Sequence, residues 1–402
     1  MKQTIIWLGA LIVGALTGLL HIAWLNDVMN FVAAVYVRLF QLLAVPTIVL
    51  AVTTTLATLG GGKSAGSIFR HTLSYTLLTT TMAAIVGLVL YVVIAPDTLP
   101  AEVLLQNADG SAGASTADTQ SSYSEHLLGV IPNNIVKPLL DGNVLSLLLL
   151  TFAVGLALSK MKESENKSVV LKFLFGLQEL LFILIRALIH TLPLGIVAFA
   201  AQLTAQLSTG DVAASLGEYV AVVLGGNLIQ FFVILPLFLL LRGINPWRTF
   251  VAMSPAVLMA LFSKSSAATL PVTMQSAEQR LGAQQKVARF VLPVCTTINM
   301  NGCAAFILVT SLFVMQQGGT PLTLTTMLTW LLISVVSAVG NAGVPMGCYF
   351  LTLSLMSGIG APVAVLGIIL PIYAVIDMVE TAVNVWSDSC VCAMTDHDVS
   401  LS

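Results

Sequence analysis

Long apolar stretches separated by short polar ones recur from end to end of the chain. Each approaches the ~20 residues that an α-helix needs to cross a bilayer. With their breaks they predict helices near 4–24, 28–58, 68–95, 127–159, 169–206 and 216–242. Further apolar segments lie near 249–276, 284–316, 322–357 and 361–394. The N-terminal stretch MKQTIIWLGALIVGALTGLLHIAWL has a long apolar part and no clear small-x-small cleavage site, so it reads as a retained helix rather than a signal peptide.

Basic residues between the segments set the topology. Lys63 and Arg70 follow the second helix, and Lys160, Lys162, Lys167 and Lys172 follow the fourth. Arg242 and Arg248 follow the sixth, and Arg280, Lys286 and Arg289 flank the start of 284–316. Loops rich in Lys and Arg face the cytoplasm. The alternate loops, near 25–27, 96–126, 207–218, 317–322 and 358–361, contain neither residue. Both sets agree only if 249–276 and 322–357 each enter and leave on one side, which leaves both termini cytoplasmic. Each of these segments has a polar, small-residue break at its middle, SKSSAATLP at 263–271 and GNAGVP at 340–345. The expectation is therefore an all-α polytopic membrane protein of eight transmembrane helices and two re-entrant helical hairpins. Irregular backbone at membrane depth survives where it is packed in protein or lines a cavity, and paired broken segments point to a transporter's binding site. Kinked spanning helices are the competing reading of the same breaks.

Composition agrees with the membrane reading. Charged residues are 8% of the 402 and hydrophobic residues 57%, whereas an average soluble domain is about 25% charged. A soluble protein with such a surface would aggregate. The net charge of −2 and the absence of a basic run give no sign of a nucleic-acid partner. Cys295, Cys303, Cys348, Cys390 and Cys392 all fall in the apolar C-terminal half. A large helical bundle needs no disulfide staples and a lone Cys-x-Cys is a poor metal signature, so all five read as small core residues. The small, polar loop 105–124 reads as a flexible external connection without chemistry. GKSAG at 62–66 matches a nucleophile pattern, but it lies in a short glycine-rich loop rather than a strand-to-helix elbow, and is discounted. The sequon Asn166-Lys167-Ser168 falls in a loop that reads as cytoplasmic and is discounted too.

The last segment, PIYAVIDMVETAVNVWSDSCVCAM, carries the strongest chemical signal. At about 100° per residue, with Asp377 at 0°, Thr381 falls near 40°, Asn384 near −20°, Asp388 near 20° and Glu380 near −60°. One stripe therefore holds three acids, and the segment has no Lys or Arg. Each acid costs about 2.5–3.5 kcal/mol at a membrane helix centre, so cations or a substrate ammonium must compensate them. A second signal is TTINMNGCAAF at 296–306, where Asn299, Asn301 and Gly302 interrupt an apolar run. Asn and Gly are poor interior helix residues, so an unwound point with free carbonyls is expected, suited to a cation such as sodium. A helix–helix hydrogen bond by Asn is the plainer reading. SYTLLTTT at 74–81 adds a run of hydroxyls that packing alone could explain.

The motifs SKSSAATLPVTM, INMNGCA, GNAGVP and IDMVETAVNVWSD, in that order and spacing, resemble the dicarboxylate/amino acid:cation symporters, which include the excitatory and neutral amino acid transporters. The resemblance covers essentially the whole chain, including PTIVLAVTT in the second helix. It implies an elevator-type, glutamate-transporter-like fold in a homotrimer of the inner membrane. Residues 1–67 and 127–206 would be scaffold, 96–126 an extracellular loop, and 68–95 with 207–402 the transport domain. It implies substrate contacts at Ser265 and Ser266 in the first hairpin tip, Gly343 and Val344 in the second, and Cys303, Asp377, Glu380, Thr381 and Asn384. Asp377 would bind the substrate ammonium and Asn384 the carboxylate. Cation ligands are implied at Thr79, Thr80, Cys295, Thr297, Asn299, Asn301, Ala338, Val339, Asn341, Asn384 and Asp388, with sodium as the coupling ion and proton as the alternative.

Three departures from the family pattern shape the expected cargo. Glu380 stands where acidic-substrate members carry an arginine, so an acidic side chain would be repelled. Asn301 replaces the aspartate of the usual N-M-D-G-T motif, and Cys303 its threonine. The run Glu380-Thr381-Ala382-Val383-Asn384 is similar to the E-T-A-x-N pattern of the serine/threonine branch. A small neutral amino acid, serine or threonine first, is therefore expected. A dicarboxylate, cystine or a cationic amino acid are the rivals within the class. A channel, or an intramembrane enzyme for which no nucleophile and base are evident, are the rivals outside it.

Overall fold

The computed structural model describes residues 2–20, 22–59, 66–99, 131–141, 144–162, 164–206, 210–339, 341 and 346–401. All regular structure among the described residues is helical. The order is α1 (Lys2–Leu19), α2 (Ala23–Leu59), α3 (Gly66–Ile94), α4 (Lys137–Asp141), α5 (Val144–Lys160) and α6 (Glu165–Gln206). Next come α7 (Gly210–Ile229), a π-helical turn (Gln230–Ile234), α8 (Leu235–Leu241), α9 (Pro246–Ser263) and α10 (Ser266–Ser276). The C-terminal part comprises α11 (Gln285–Ile298), α12 (Asn301–Gln317), α13 (Leu324–Val339), α14 (Gly347–Gly358) and α15 (Ala364–Leu401). Among the described residues, the stretches Ser67–Ile94, Ser215–Leu241 and Gln285–Gln317 are long and apolar enough to cross a membrane, and α15, bent between its parts Ala364–Leu370 and Val375–Ser400, makes a fourth when the two are joined.

Local chemistry explains where the elements break. In the first hairpin, Asn245 caps α9 by accepting from the Arg248 N–H, with Pro246 in the first turn. The helix ends on Lys264 in the left-handed region (φ 56°). Ser265 at once caps α10, its hydroxyl accepting from the Ala268 N–H at 3.2 Å. The polar run that marked this break thus supplies one helix end and the next helix start. α9 and α10 pack along each other as the two arms of a hairpin. The expected unwound point in 284–316 is present: Asn299 (φ −99°, ψ 70°) and Met300 (φ −107°, ψ 69°) separate α11 from α12. The second predicted hairpin is likewise divided, α13 ending at Val339 and α14 beginning at Gly347 after a left-handed Met346.

Two expectations need correction. The predicted helix 127–159 is not helical over 131–136, where bends replace it. The Pro132-Asn133-Asn134 run is turn chemistry, and the Asn134 side chain accepts from the Val136 N–H at 2.7 Å. At the other end, α15 runs on to Leu401, past the predicted end near 394, so His397 is helical. Asp398 anchors that last turn. It accepts from the Tyr75 hydroxyl and lies 3.5 Å from both Arg242 and His71, tying α15 to α3 and the end of α8.

The helices pack in two groups. α1 lies along α6, and α2 along α5 and α6. α12 packs against α3, α13, α14 and α15, and α15 also packs against α9 and α11. Contacts of α14 with α2 and of α15 with α6 join the groups.

Candidate functional site

The polar stripe of α15 faces inward. Asp377, Glu380, Thr381, Asn384 and Asp388 are all buried, and no ion pair among the described residues includes any of the three acids. The stripe meets the break between α11 and α12. Gly302 permits that approach: a Cβ there would stand 2.8 Å from the Glu380 Cα and 2.9 Å from the Asn227 side-chain oxygen. With only hydrogen at that point, the Gly302 N–H donates to Asn384 Oδ1 at 2.9 Å.

At the α3 side of the break the polar groups form a continuous network. Asn299 Nδ2 donates to Asp388 Oδ1 and to the Ser387 hydroxyl, each at 2.9 Å. Asn299 Oδ1 accepts from Thr79 Oγ1 at 3.1 Å and from Asn301 Nδ2 at 3.0 Å. The same Asn301 amide lies 3.3 Å from the hydroxyls of Thr79 and Thr80. Gln230, from the π-helical turn, donates to Asn301 Oδ1 at 2.6 Å and to the Thr79 carbonyl at 3.1 Å. Six of the seven side chains here are neutral, so Asp388 carries the only formal charge in the network. Hard oxygen atoms around a single buried carboxylate are the donor set that suits a small hard cation.

Around Asp377 the second hairpin closes in. The Met346 N–H donates to Asp377 Oδ2 at 3.4 Å, and the Tyr373 hydroxyl lies 3.4 Å from Asp377 Oδ1 and 3.2 Å from Glu380 Oε2. Glu380 Oε1 is buried with no hydrogen-bond partner among the described residues. Asn341 turns its amide onto the sulfurs of Cys303 (3.0 Å) and Cys348 (3.2 Å), and the space it fills is left by Gly347, whose Cβ would stand 2.0 Å from Asn341 Oδ1. Cys303 and Cys348 form a disulfide between α12 and α14. This corrects the reading of all five cysteines as unpaired core residues; Cys295, Cys390 and Cys392 are free and buried as expected.

Not every expected site residue joins these groups. Ser265 caps α10, and Ser266 is buried at its start. The Thr381 hydroxyl bonds back to the Asp377 carbonyl at 2.7 Å, and the Thr297 hydroxyl to the Val294 carbonyl at 2.8 Å. Cys295 lies 3.8 Å from the Thr76 hydroxyl. Ala338 and Val339 end α13, where the Ala338 carbonyl accepts from the Asn341 N–H at 3.1 Å. Gly343 and Val344 lie outside the described residues. Three participants were missed from sequence. Gln230 is too far along the chain from Asn301 for periodicity to pair them, whereas Tyr373, four and seven residues before Asp377 and Glu380 on the same helix, could have been placed on the stripe by its spacing. Lys264, buried at the hairpin break, acts electrostatically on Asp377 and so partly compensates the stripe. Its position inside SKSS was the available signal.

The Sodium:dicarboxylate symporter family model matches residues 2–398. The chain belongs to that family. It is accordingly an integral membrane protein of a transporter family, not an enzyme. Excitatory amino acid transporter 3 of Mus musculus is 27% identical over 409 residues, covering 89% of this chain and 77% of the relative. The Proton/sodium-glutamate symport protein of Bacillus subtilis (strain 168) is 27% identical over 351 residues, covering 87% and 81%. Neutral amino acid transporter B(0) of Oryctolagus cuniculus is 26% identical over 402 residues, covering 92% and 73%. The buried acids of α15 thus lie in a chain of a transporter family, where acids at membrane depth are costly to hold.

Proposed function

We propose that the protein is a secondary active symporter that couples sodium entry to import of a small neutral amino acid, serine or threonine first. The observation that carries this reading is the buried acidic stripe of α15: its three acids make no ion pair among the described residues, and Lys264 offsets only part of the charge at Asp377. Burying such charges costs too much unless cations accompany them. Asp377 anchors the substrate ammonium. Asn384 has its Oδ1 engaged by the Gly302 N–H, and its amide, whose one N–H makes a long 3.4 Å contact to the Cys303 sulfur, has a second N–H for the substrate carboxylate. Asp388, with Asn299 and the Thr79 and Thr80 hydroxyls, holds sodium. The relatives named for sodium and glutamate support sodium coupling, and the one named for neutral amino acids supports a non-acidic cargo.

Glu380 selects the side chain. Its carboxylate repels an acidic cargo, and its unpartnered Oε1 accepts from a substrate hydroxyl. Asn301 brings an amide where a carboxylate would add charge, so fewer sodium ions move per cycle. The two packing groups support a division into a scaffold of α1, α2, α4, α5 and α6 and a mobile transport domain of the rest. That domain moves as an elevator within a homotrimer of the inner membrane, with both termini cytoplasmic, two hairpins re-entering from opposite faces, and Gly343 and Val344 in the gate.

Binding of labelled amino acids to the purified protein, with sodium present and then replaced by choline, tests the assignment. Serine or threonine should bind only with sodium, and a pH series at fixed sodium should leave binding unchanged. Binding of aspartate in preference to serine would overturn the role of Glu380, and proton dependence without sodium dependence would overturn the coupling ion.

A further inference from the structure

Cys303 near the start of α12, Cys348 near the start of α14 and Glu380 on α15 bring three metal-ligand atoms within 4.8 Å of one another, all buried. Two independent features point to a ligand. Glu380 contributes a carboxylate oxygen to the cluster, and its Oε1 is buried with no hydrogen-bond partner among the described residues. The sulfurs are approached by amide donors, Asn341 at 3.0 and 3.2 Å and Asn384 at 3.4 Å from Cys303. Donors aimed at sulfur are the surroundings that favour and orient a thiolate ligand.

We propose that, when the cysteine pair is reduced, Cys303, Cys348 and Glu380 bind a thiophilic divalent cation of the zinc class. Reduction by a dithiol cleaves the S–S bond, takes up two electrons and two protons, and leaves the dithiol oxidised to its own disulfide. Metal binding then releases both thiol protons. The ligands are two thiolate sulfurs and Glu380 Oε1, with the fourth tetrahedral position open to water. Zinc–sulfur bonds of ~2.3 Å hold two sulfurs about 3.8 Å apart, inside the 4.8 Å envelope of the cluster. Two thiolates discriminate against sodium, magnesium and calcium, which take oxygen ligands. The three ligands come from the broken helix, the second hairpin and the acidic stripe. A bound ion therefore clips those elements together and blocks transport reversibly. This inference stands on the three side chains and not on which amino acid is carried.

The test uses the full-length protein in detergent, reduced with a phosphine and titrated with cadmium as the spectroscopic probe. A saturable thiolate-to-cadmium charge-transfer absorption is expected, with a parallel rise in melting temperature that a chelator reverses. Cys303→Ser and Cys348→Ser should abolish the absorption, Glu380→Gln should weaken binding about tenfold, and Cys390→Ser should leave it intact. Absence of both the absorption and the melting shift in the reduced wild-type protein would overturn the site, as would their persistence in Cys303→Ser. The wild-type measurement decides even if a variant fails to fold. Amino-acid binding to the reduced, chelated protein fails or survives independently, so the two readings are separable.

Discussion

Asn384 Oδ1 accepts a hydrogen bond from the backbone N–H of Gly302 at 2.9 Å, and that single contact joins the acidic stripe of α15 to the broken helix. It works because nothing larger than hydrogen stands at position 302. The freed N–H at the start of α12 is satisfied by a side chain that would otherwise compete for it with solvent or substrate.

Gly302→Ala tests how tightly the two elements are set. The new methyl carbon would meet backbone atoms of Glu380 at 2.8 and 2.9 Å, which cannot swing aside as a side-chain end can. Overpacking of this kind costs about 1–3 kcal/mol. The variant should melt lower and lose most of its uptake, measured by thermal unfolding and by transport into vesicles.

Asn301 and Gln230 make a separable prediction. Gln230→Leu removes the donors to Asn301 Oδ1 and the Thr79 carbonyl. Leaving buried acceptors unpaired costs about 1–3 kcal/mol, so melting temperature should fall whether or not sodium is present. Asn301→Asp instead adds a carboxylate among the oxygens of Thr79, Thr80 and Asn299. That variant should be destabilised in sodium-free buffer, regain stability with sodium, and carry more charge per substrate, read as a shift in reversal potential.

Glu380→Arg reverses the one charge assigned to cargo selection. Like charges brought together at a buried site cost several kcal/mol, and each 1.4 kcal/mol is about tenfold in affinity. Competition assays should show serine weakened at least about tenfold and aspartate newly recognised. Unchanged preference would place the selecting group elsewhere.

Much of this arrangement was legible in the chain because it is local. The SKSS break is written in capping residues, and the Asn299–Met300 break in an Asn-rich interruption of an apolar run. The inward stripe of α15 follows from helical periodicity, since its five polar residues share one face. What was illegible depends on tertiary approach. Gln230 meets Asn301 across 71 residues, and Cys348 reaches Cys303 across a sequence separation of 45. No spacing rule links these pairs. The bends at 131–136 were hidden because an apolar run outweighed its Pro and Asn residues, and the helical course past Met394 because its polar face is spent on Asp398 contacts.

The central claim is that sodium drives a neutral amino acid across the membrane through the α15 site. Its most direct test is uptake of labelled serine into proteoliposomes under an imposed inward sodium gradient, with choline on both sides as the control and Asp388→Asn as the variant. Serine should accumulate above its external concentration only with the gradient, excess unlabelled aspartate should not compete, and Asp388→Asn should abolish the sodium-driven component. Accumulation of aspartate with serine ignored, or equal serine uptake without sodium, would contradict the account.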